Sequence, residues 1–224
     1  MKKPDSFEEQ RAKMVKEQLV ARKIHDKRLL QAMMQVPRHL FVHPDHVESA
    51  YTDGPLPIGE GQTISQPYVA ALMVAALGLQ GHEKVLEIGT GSGYLAAVLG
   101  QLAAEVHSIE QFESLASKAD QVIANLEFSN VHVHHNDGSA GLNEHAPYDG
   151  ILVSAAAPKA PEALLTQLTP NGVLVIPVGD RNGQRLQRWT RDGDKFKYEE
   201  STKVSFVPLR GEFGWQRNAW PNPK

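Results

Sequence analysis

The sequence contains no cysteine, which excludes disulfide bonds, thiolate metal sites and a catalytic thiol. This agrees with an intracellular protein, because disulfides are used mainly in oxidising compartments. The amino terminus, Met-Lys-Lys-Pro-Asp, leads into a charged stretch that lacks the apolar segment of a secretory signal. The longest apolar stretch, around residues 69–79, is too short and too rich in alanine to span a bilayer. We therefore expect a cytoplasmic protein without a membrane partner.

A large excess of either charge is also missing, since the formal net charge is only −3 over 224 residues. This balance gives no reason to expect a nucleic-acid partner. Hydrophobic residues make up 41% and charged residues 22%, as in ordinary globular proteins. The length suits one α/β domain with a buried core. We expect a monomer with a single domain over 1–224, in which a helical addition over 1–80 packs on a core over 81–210.

The amino-terminal third carries helix and loop signals. Ser6 and Glu9 have the spacing of a capping box, and Asp26 is a plausible start for a second helix through residue 34. Residues 53–61 hold three glycines and two prolines, which predicts a well-defined loop. Ser65 is a natural N-cap for the apolar helix that follows it.

From residue 84 onward, short apolar strands alternate with helices. Strands are predicted over 85–88, 106–110, 131–135, 150–154 and 173–178, and helices over 94–102, 112–127 and 161–168. A final hairpin is predicted from 186–190 with 196–206. This alternation predicts a doubly wound, Rossmann-like α/β sheet of parallel strands with a carboxyl-terminal antiparallel hairpin.

A glycine-rich turn joins the first core strand to its helix. Gly89, Gly91 and Gly93 alternate with Thr90 and Ser92, a spacing that differs from the dinucleotide pattern G-x-G-x-x-G. Small residues there let a ligand approach the free N–H groups of a helix start, although close packing of helix and strand would also need them.

Carboxylates end the next two strands. Glu110 can accept hydrogen bonds from two ribose hydroxyls, and Asp137, followed by Gly138, can meet an adenine edge. One acid at a strand end is usually a cap or a solvated charge. Three such features at three successive strand ends indicate a nucleoside-type cofactor.

Two longer stretches resemble one family. Residues 85–94, Val-Leu-Glu-Ile-Gly-Thr-Gly-Ser-Gly-Tyr, resemble the first motif of protein-L-isoaspartate O-methyltransferases. Residues 56–67, Leu-Pro-Ile-Gly-Glu-Gly-Gln-Thr-Ile-Ser-Gln-Pro, resemble the segment that distinguishes this family from other methyltransferases. Residues 36–38 and 206–209 also match, so the resemblance runs from about residue 11 to residue 209.

The resemblance implies a class I methyltransferase that uses S-adenosyl-L-methionine to methylate the free α-carboxyl of L-isoaspartyl residues in damaged proteins. The ester would then collapse to a succinimide, which hydrolyses partly to aspartate. Ser65 would be the active-site serine beside the substrate carboxylate, an assignment that competes with its N-cap interpretation. The implied cofactor contacts are Gly89, Thr90, Gly91, Gly93, Glu110, Asp137 and Gly138, and the implied substrate contacts are Ile64, Ser65, Gln66, Phe206 and Val207.

The chemistry agrees with a carboxylate substrate, which is already ionised at pH 7 and needs neither base nor metal. The stretch after the fourth core strand, Ser154-Ala-Ala-Ala-Pro, has no acid or aromatic residue, unlike the Asn/Asp-Pro-Pro-aromatic motif of nucleic-acid amino methyltransferases. No Gly-x-Ser-x-Gly elbow indicates a hydrolase. A nonenzymatic binding module with the same fold remains an alternative.

Histidines are frequent near residue 134. His132 and His134 share one strand face and His135 points to the other. Because no carboxylate except Asp137 follows at ligand spacing, we expect solvent-facing or loosely packed histidines and no metal site.

Overall fold

The computed structural model of the chain describes residues 6–216 and 219–220. The α-helices are α1 (Phe7–Met14), α2 (Lys27–Gln35), α3 (Pro67–Leu77), α4 (Tyr94–Gly100), α5 (Glu113–Asn125) and α6 (Glu162–Leu165). The strands are β1 (Leu56–Gly59), β2 (Gln62–Ile64), β3 (Lys84–Ile88), β4 (Glu105–Glu110), β5 (Val131–His135), β6 (Tyr148–Val153), β7 (Leu168–Asp180), β8 (Gly183–Asp192) and β9 (Lys195–Val204). Within these described residues, no helix has the length and apolar character that crossing a membrane requires.

Seven strands form the central sheet in the order β5-β4-β3-β6-β7-β8-β9. Strands β3 to β7 run parallel to one another, whereas β8 pairs antiparallel with both β7 and the edge strand β9. The predicted fold class is therefore confirmed. The strand order reverses between β3 and β6, and open α/β sheets bind ligands outside the carboxyl ends of the strands at such a switch point.

Apolar side chains cover both faces of the sheet. On one face, Leu29 and Met33 of α2 join Met73 of α3 and Leu99 of α4 in a single buried cluster. Ile64 at the end of β2 belongs to the same cluster. Burying side chains of this size stabilises a fold by about 1.5–3 kcal/mol each. The amino-terminal helices and the β1–β2 hairpin are thus fixed against the sheet by shared core packing.

The helix signals near the amino terminus are confirmed. The Ser6 hydroxyl accepts a hydrogen bond from the Glu9 N–H, and the Glu9 carboxylate accepts one from the Ser6 N–H. Asp26 caps α2 by accepting from the N–H groups of Arg28 and Leu29. Each carboxylate or hydroxyl satisfies donors that a helix start leaves free.

The prediction of a loop over residues 53–61 is wrong for its second half. Residues 56–64 form the β1–β2 hairpin, in which Leu56 pairs with Ile64. Glu60 and Gly61 occupy the turn with φ angles of 51° and 68°. Positive φ at both central positions matches the twist of a two-residue hairpin turn, and glycine favours it at the second.

Ser65 does not cap α3, so that interpretation is wrong. The helix begins at Pro67, and Gln66 occupies the N-cap position without a side-chain capping bond. Proline suits the first helical position because its missing N–H would have had no partner there. The hydroxyl of Ser65 is therefore not committed to the helix.

One further element differs from expectation. The helix predicted over 161–168 is limited to α6, because the buried Gln167 side chain bonds the Ala140 carbonyl and the Leu142 N–H. The prediction was of solvent-facing or loosely packed histidines: His132 and His135 are exposed, whereas His134 is partly buried and lies beside His107.

Candidate active site

The glycine turn between β3 and α4 has the backbone conformation that glycine favours. Gly89, Gly91 and Gly93 have φ angles of 91°, 54° and 87°. A Cβ on Gly91 would lie 3.2 Å from Ile58 Cδ1, and a Cβ on Gly93 would lie 3.1 Å from Ala119 Cβ. Gly91 therefore allows the β1–β2 hairpin to approach the turn, whereas Gly93 allows α4 to pack on α5.

Glu110 lies beside this turn at the end of β4. Its Oε2 accepts a hydrogen bond from the Gly91 N–H at 2.8 Å, and its Oε1 accepts from the Phe112 N–H at 3.0 Å. The side chain is buried, yet it borders the adjoining cavity. A carboxylate has about four acceptor positions, so Glu110 is fixed in place and can still accept from a ligand.

Glu87 is a cavity residue that sequence reasoning missed. Its fully buried Oε2 accepts from the Ser108 hydroxyl at 2.5 Å, while its Oε1 has no hydrogen-bond partner among the described residues. Burial raises the pKa of Glu87 to about 8, the Ser108 bond opposes this rise, and Glu110 adds to it. The available signal was an acid inside the apolar strand Val85-Leu86-Glu87-Ile88, since buried acids are rare unless paired.

These groups surround one cavity at the carboxyl ends of β3 and β4, which we name the first cavity. Gly93, Asp137, Gln66 and Phe206 do not line it. The sequence-predicted residues that it brings together are Ile64, Ser65, Gly89, Thr90, Gly91, Glu110, Gly138 and Val207.

Asp137 turns away from the first cavity towards the carboxyl-terminal tail. Its Oδ1 accepts from the Ser139 N–H and its Oδ2 from the Glu212 N–H, both at 2.8 Å. The Phe213 N–H donates to the Ser139 hydroxyl at 3.0 Å. The tail after Leu209, to which the sequence assigned no role, is thus bonded to the turn that follows β5. Only Gly138 of this turn borders the first cavity.

A second cavity adjoins the first. Its lining includes Gln66, Lys203 and Phe206. Four residues border both cavities, namely Thr63, Ser65, Ser154 and Val207. The Ser154 hydroxyl is buried without a hydrogen-bond partner in the described part of the chain. Ser65 therefore lies on the wall between a cavity that contains two acids and one that contains a lysine.

A fully buried arginine holds the backbone of Ser65. Arg38 donates to the carbonyl oxygens of Ser65 and Ala50, each at 2.8 Å, and its guanidinium lies over the Tyr94 ring. Burial lowers the pKa of Arg38 to about 10, which still leaves it charged at neutral pH. Two charge-assisted bonds to carbonyls restrict the position of Ser65 more firmly than neutral bonds would.

The segment after β9 crosses the end of β6. The buried Gln184 side chain accepts from the Phe206 N–H at 2.7 Å and donates to the Phe206 carbonyl at 3.0 Å. The Ala156 N–H donates to the Val207 carbonyl, and the Leu209 N–H donates to the Ala156 carbonyl. These bonds hold Phe206 and Val207 against the second cavity, where the sequence places a substrate contact.

Comparison with known proteins gives a consistent result. The family described as "Protein-L-isoaspartate(D-aspartate) O-methyltransferase (PCMT)" matches residues 9–214. Protein-L-isoaspartate O-methyltransferase 1 of Syntrophobacter fumaroxidans is 51% identical over 211 residues, covering 94% of this chain and 99% of the relative. Protein-L-isoaspartate O-methyltransferase of a Roseiflexus species is 52% identical over 203 residues, covering 91% of this chain and 93% of the relative.

Solved structures agree. A protein-L-isoaspartate O-methyltransferase superposes with a TM-score of 0.82 at 28% identity, covering 91% of this chain and 67% of the other. A putative protein-L-isoaspartate O-methyltransferase from Plasmodium falciparum, in complex with S-adenosyl-L-homocysteine, superposes with a TM-score of 0.79 at 24% identity. The superposition covers 89% of this chain and 98% of the other, which supports the fold. The chain therefore belongs to the protein-L-isoaspartate O-methyltransferase family of protein-repair enzymes.

Proposed function

We propose that this chain transfers the methyl group of S-adenosyl-L-methionine to the free α-carboxyl of L-isoaspartyl residues in damaged peptides and proteins. The observation that carries the proposal is the position of Ser65 on the wall shared by the two cavities. The first cavity would hold the cofactor and the second the isoaspartyl peptide. The proposed partners include no nucleic acid and no membrane.

The first cavity has the groups that this cofactor requires. Glu87 Oε1 and Ser154 Oγ are buried polar atoms without hydrogen-bond partners among the described residues, and both residues line the cavity. Burying polar atoms without partners is costly, so these two atoms indicate a polar ligand. Glu87 would hold the ammonium group, Glu110 the ribose hydroxyls, and the Gly138 backbone would adjoin the adenine. When bound, the cofactor supplies a sulfonium whose methyl carbon is electrophilic.

The residues of the second cavity would position the nucleophile. An ionised carboxylate needs no general base at pH 7, because the pKa of a carboxyl group is ordinarily near 4. The Ser65 hydroxyl would donate a hydrogen bond that orients the carboxylate, and Lys203 would attract its charge. Residues 206–207 and the β1–β2 hairpin would exclude water from this junction. Such alignment contributes several kcal/mol to a displacement reaction without any covalent step on the protein.

Radiolabelled methyl transfer to an isoaspartyl peptide tests the proposal, with the aspartyl peptide of the same sequence as control. We expect label in the isoaspartyl peptide alone. Label in neither peptide, despite tight cofactor binding, would favour a nonenzymatic binding module. Equal label in both would reject the isoaspartyl specificity.

Three finer points belong to the same proposal: the chain acts as one domain, as a monomer and in the cytoplasm. The cysteine-free composition supports the location. Light scattering on the purified protein should give the mass of one chain, and cell fractionation should recover the activity from the cytoplasm.

A further inference from the structure

Three histidines meet on the sheet face opposite helices α3 to α5. His107 comes from β4, His134 from β5 and His145 from the short 3₁₀ turn before β6. Each offers a ring nitrogen, and the three nitrogens lie within 4.8 Å of one another. None of these residues lines either cavity described above. The cluster is therefore a separate feature of the molecule.

Strand register brings two of the rings together. His107 pairs with His132, and Ile109 pairs with His134, so His107 and His134 are diagonal neighbours on one face. Their Nδ1 and Nε2 atoms lie 3.0 Å apart. The third ring, His145, stacks on His107 with centroids 4.1 Å apart. The parallel pairing of β4 and β5 thus fixes two ligands, and the chain leading into β6 supplies the third.

A carboxylate orients the central ring. Glu105 Oε1 lies 3.0 Å from His107 Nε2 and accepts a hydrogen bond from its N–H, which leaves the lone pair of His107 Nδ1 facing His134. Metal-bound histidines are usually held in this way, with the second ring nitrogen donating to a carboxylate. Glu105 is therefore placed as the outer partner of a ligand, a role that simple packing of histidines does not require.

The donor set selects the kind of ion. Three imidazole nitrogens suit zinc and its neighbouring divalent transition metals, whereas calcium and magnesium prefer oxygen. We propose that His107, His134 and His145 bind one divalent transition-metal ion such as zinc, with Glu105 orienting His107. This reverses the expectation of no metal site, which was based on local spacing around His132, His134 and His135 and could not include His107 or His145.

Binding requires the rings to reorient and the proton on His134 Nε2, which faces His107 Nδ1, to leave that nitrogen. Zinc–nitrogen bonds of about 2.0–2.1 Å place the nitrogens of a tetrahedral site about 3.3 Å apart, whereas the three nitrogens here lie within 4.8 Å of one another. His145 is partly exposed on a three-residue turn, so rotation of its ring can close the site. The ion would join the edge of the sheet to the segment that leads into β6. Its expected effect is on stability, because the cluster is separate from the cavities.

Zinc titration of the tag-free full-length protein by calorimetry tests the proposal. We expect one ion per chain, with affinity reduced about tenfold or more in His145→Ala, since even loss of an outer partner costs 10–100-fold. His135→Ala is the matched control, because His135 is exposed on the other face of β5 and should bind as the parent does. His134→Gln provides a second ligand variant. Binding of cobalt should give the visible absorption of a tetrahedral site in the parent and His135→Ala only.

Thermal unfolding with and without zinc gives an independent readout. We expect zinc to raise the melting temperature of the parent and of His135→Ala, but not of His145→Ala. Absence of saturable binding at one ion per chain would overturn the proposal. Equal zinc affinity in the parent and in His145→Ala would also overturn it.

Discussion

The two cavities are built in different ways. About half of the residues that line the first lie within 87–111, at two successive strand ends and the glycine turn, and most of the others come from residues 62–65 and 207–210. The second combines residues 55–69 with residues 203–207, which lie far apart in the sequence. Strand ends of a parallel sheet meet by topology, whereas the second cavity requires two segments to dock. Local sequence patterns therefore predict the strand-end part of the first cavity, whereas the second cavity can be recognised only from a family resemblance or a structure.

The cavities also differ in charge. The first is lined by Glu87, Glu110 and Arg210, whose guanidinium donates to the carbonyls of Gln216 and Trp220, whereas the described residues lining the second include Lys203 and no acid. Acids suit a cationic methyl donor and a lysine suits a carboxylate substrate. The charge difference therefore agrees with the proposed occupants.

We expect the largest effect from Glu87→Gln, on the pH dependence of the free energy of unfolding measured in the absence of cofactor. Since burial raises the pKa of Glu87 from 4.5 to about 8, the folded state keeps a proton that the unfolded state releases between those pH values. The free energy of unfolding therefore falls as pH rises through this window. Between pH 5 and pH 8, the parent should lose roughly 3 kcal/mol relative to Glu87→Gln.

Urea unfolding at the two pH values measures this difference. The exposed Glu113→Gln is the control and should follow the parent. Equal pH dependence in the parent and in Glu87→Gln would show that Glu87 is ionised in the folded state.

The next effect is expected from Glu110→Ala on cofactor affinity. A hydrogen bond to a charged group contributes about 1.5–3 kcal/mol, so the cofactor Kd should rise roughly 10- to 150-fold. Calorimetry with S-adenosyl-L-homocysteine measures the change. Glu113→Ala removes the same charge three residues away and should leave the Kd near that of the parent. An unchanged Kd in Glu110→Ala would place the ribose elsewhere.

Ser65→Ala should affect the reaction with the peptide substrate in the second cavity. We expect kcat/KM for the isoaspartyl peptide to fall about tenfold, because the hydroxyl bond to a charged carboxylate is lost. The cofactor Kd should stay within about twofold, since no charged contact to the cofactor is removed. Ser205→Ala, an exposed serine of the second cavity alone, serves as control. A parallel loss of cofactor affinity would assign Ser65 to the first cavity.

The smallest effect is expected from Lys203→Ala. Exposed charge pairs contribute about 0.2–1 kcal/mol, so the peptide KM should rise only about 1.5- to 5-fold. The increase should shrink at high salt, because exposed charges are screened. Lys195→Ala at the start of β9 is the matched control. A salt-independent change in KM would mean that Lys203 acts by packing and not by charge.

The sequence predicted the sheet, its strand ends and the glycine turn that borders the first cavity, because apolar periodicity and parallel topology determine them together. Sequence patterns assigned Asp137 to the cofactor. They could not reveal that the Glu212 N–H of the carboxyl-terminal tail donates to this carboxylate, because Glu212 lies 75 residues further along the chain. The same patterns treated Glu87 as one position of an apolar strand. Cross-strand neighbours such as His107 and His134 depend on register, which local patterns do not reveal.

Ser65 shows how a candidate site residue can carry a wrong local interpretation. Position alone favoured an N-cap, but Pro67 sets the helix start two residues later and leaves Gln66 at the cap. Arg38, which holds the Ser65 carbonyl, is distant in sequence and could be linked to it only through the fold. Removing the capping role strengthens the placement of Ser65 at the reaction site.

A crystal structure with S-adenosyl-L-homocysteine tests the central claim, that the two cavities meet at the site of methyl transfer. We expect the ribose at Glu110, the amino group at Glu87 and the sulfur facing the wall that contains Ser65. A ligand whose sulfur points away from Ser65 and from the second cavity would contradict the claim.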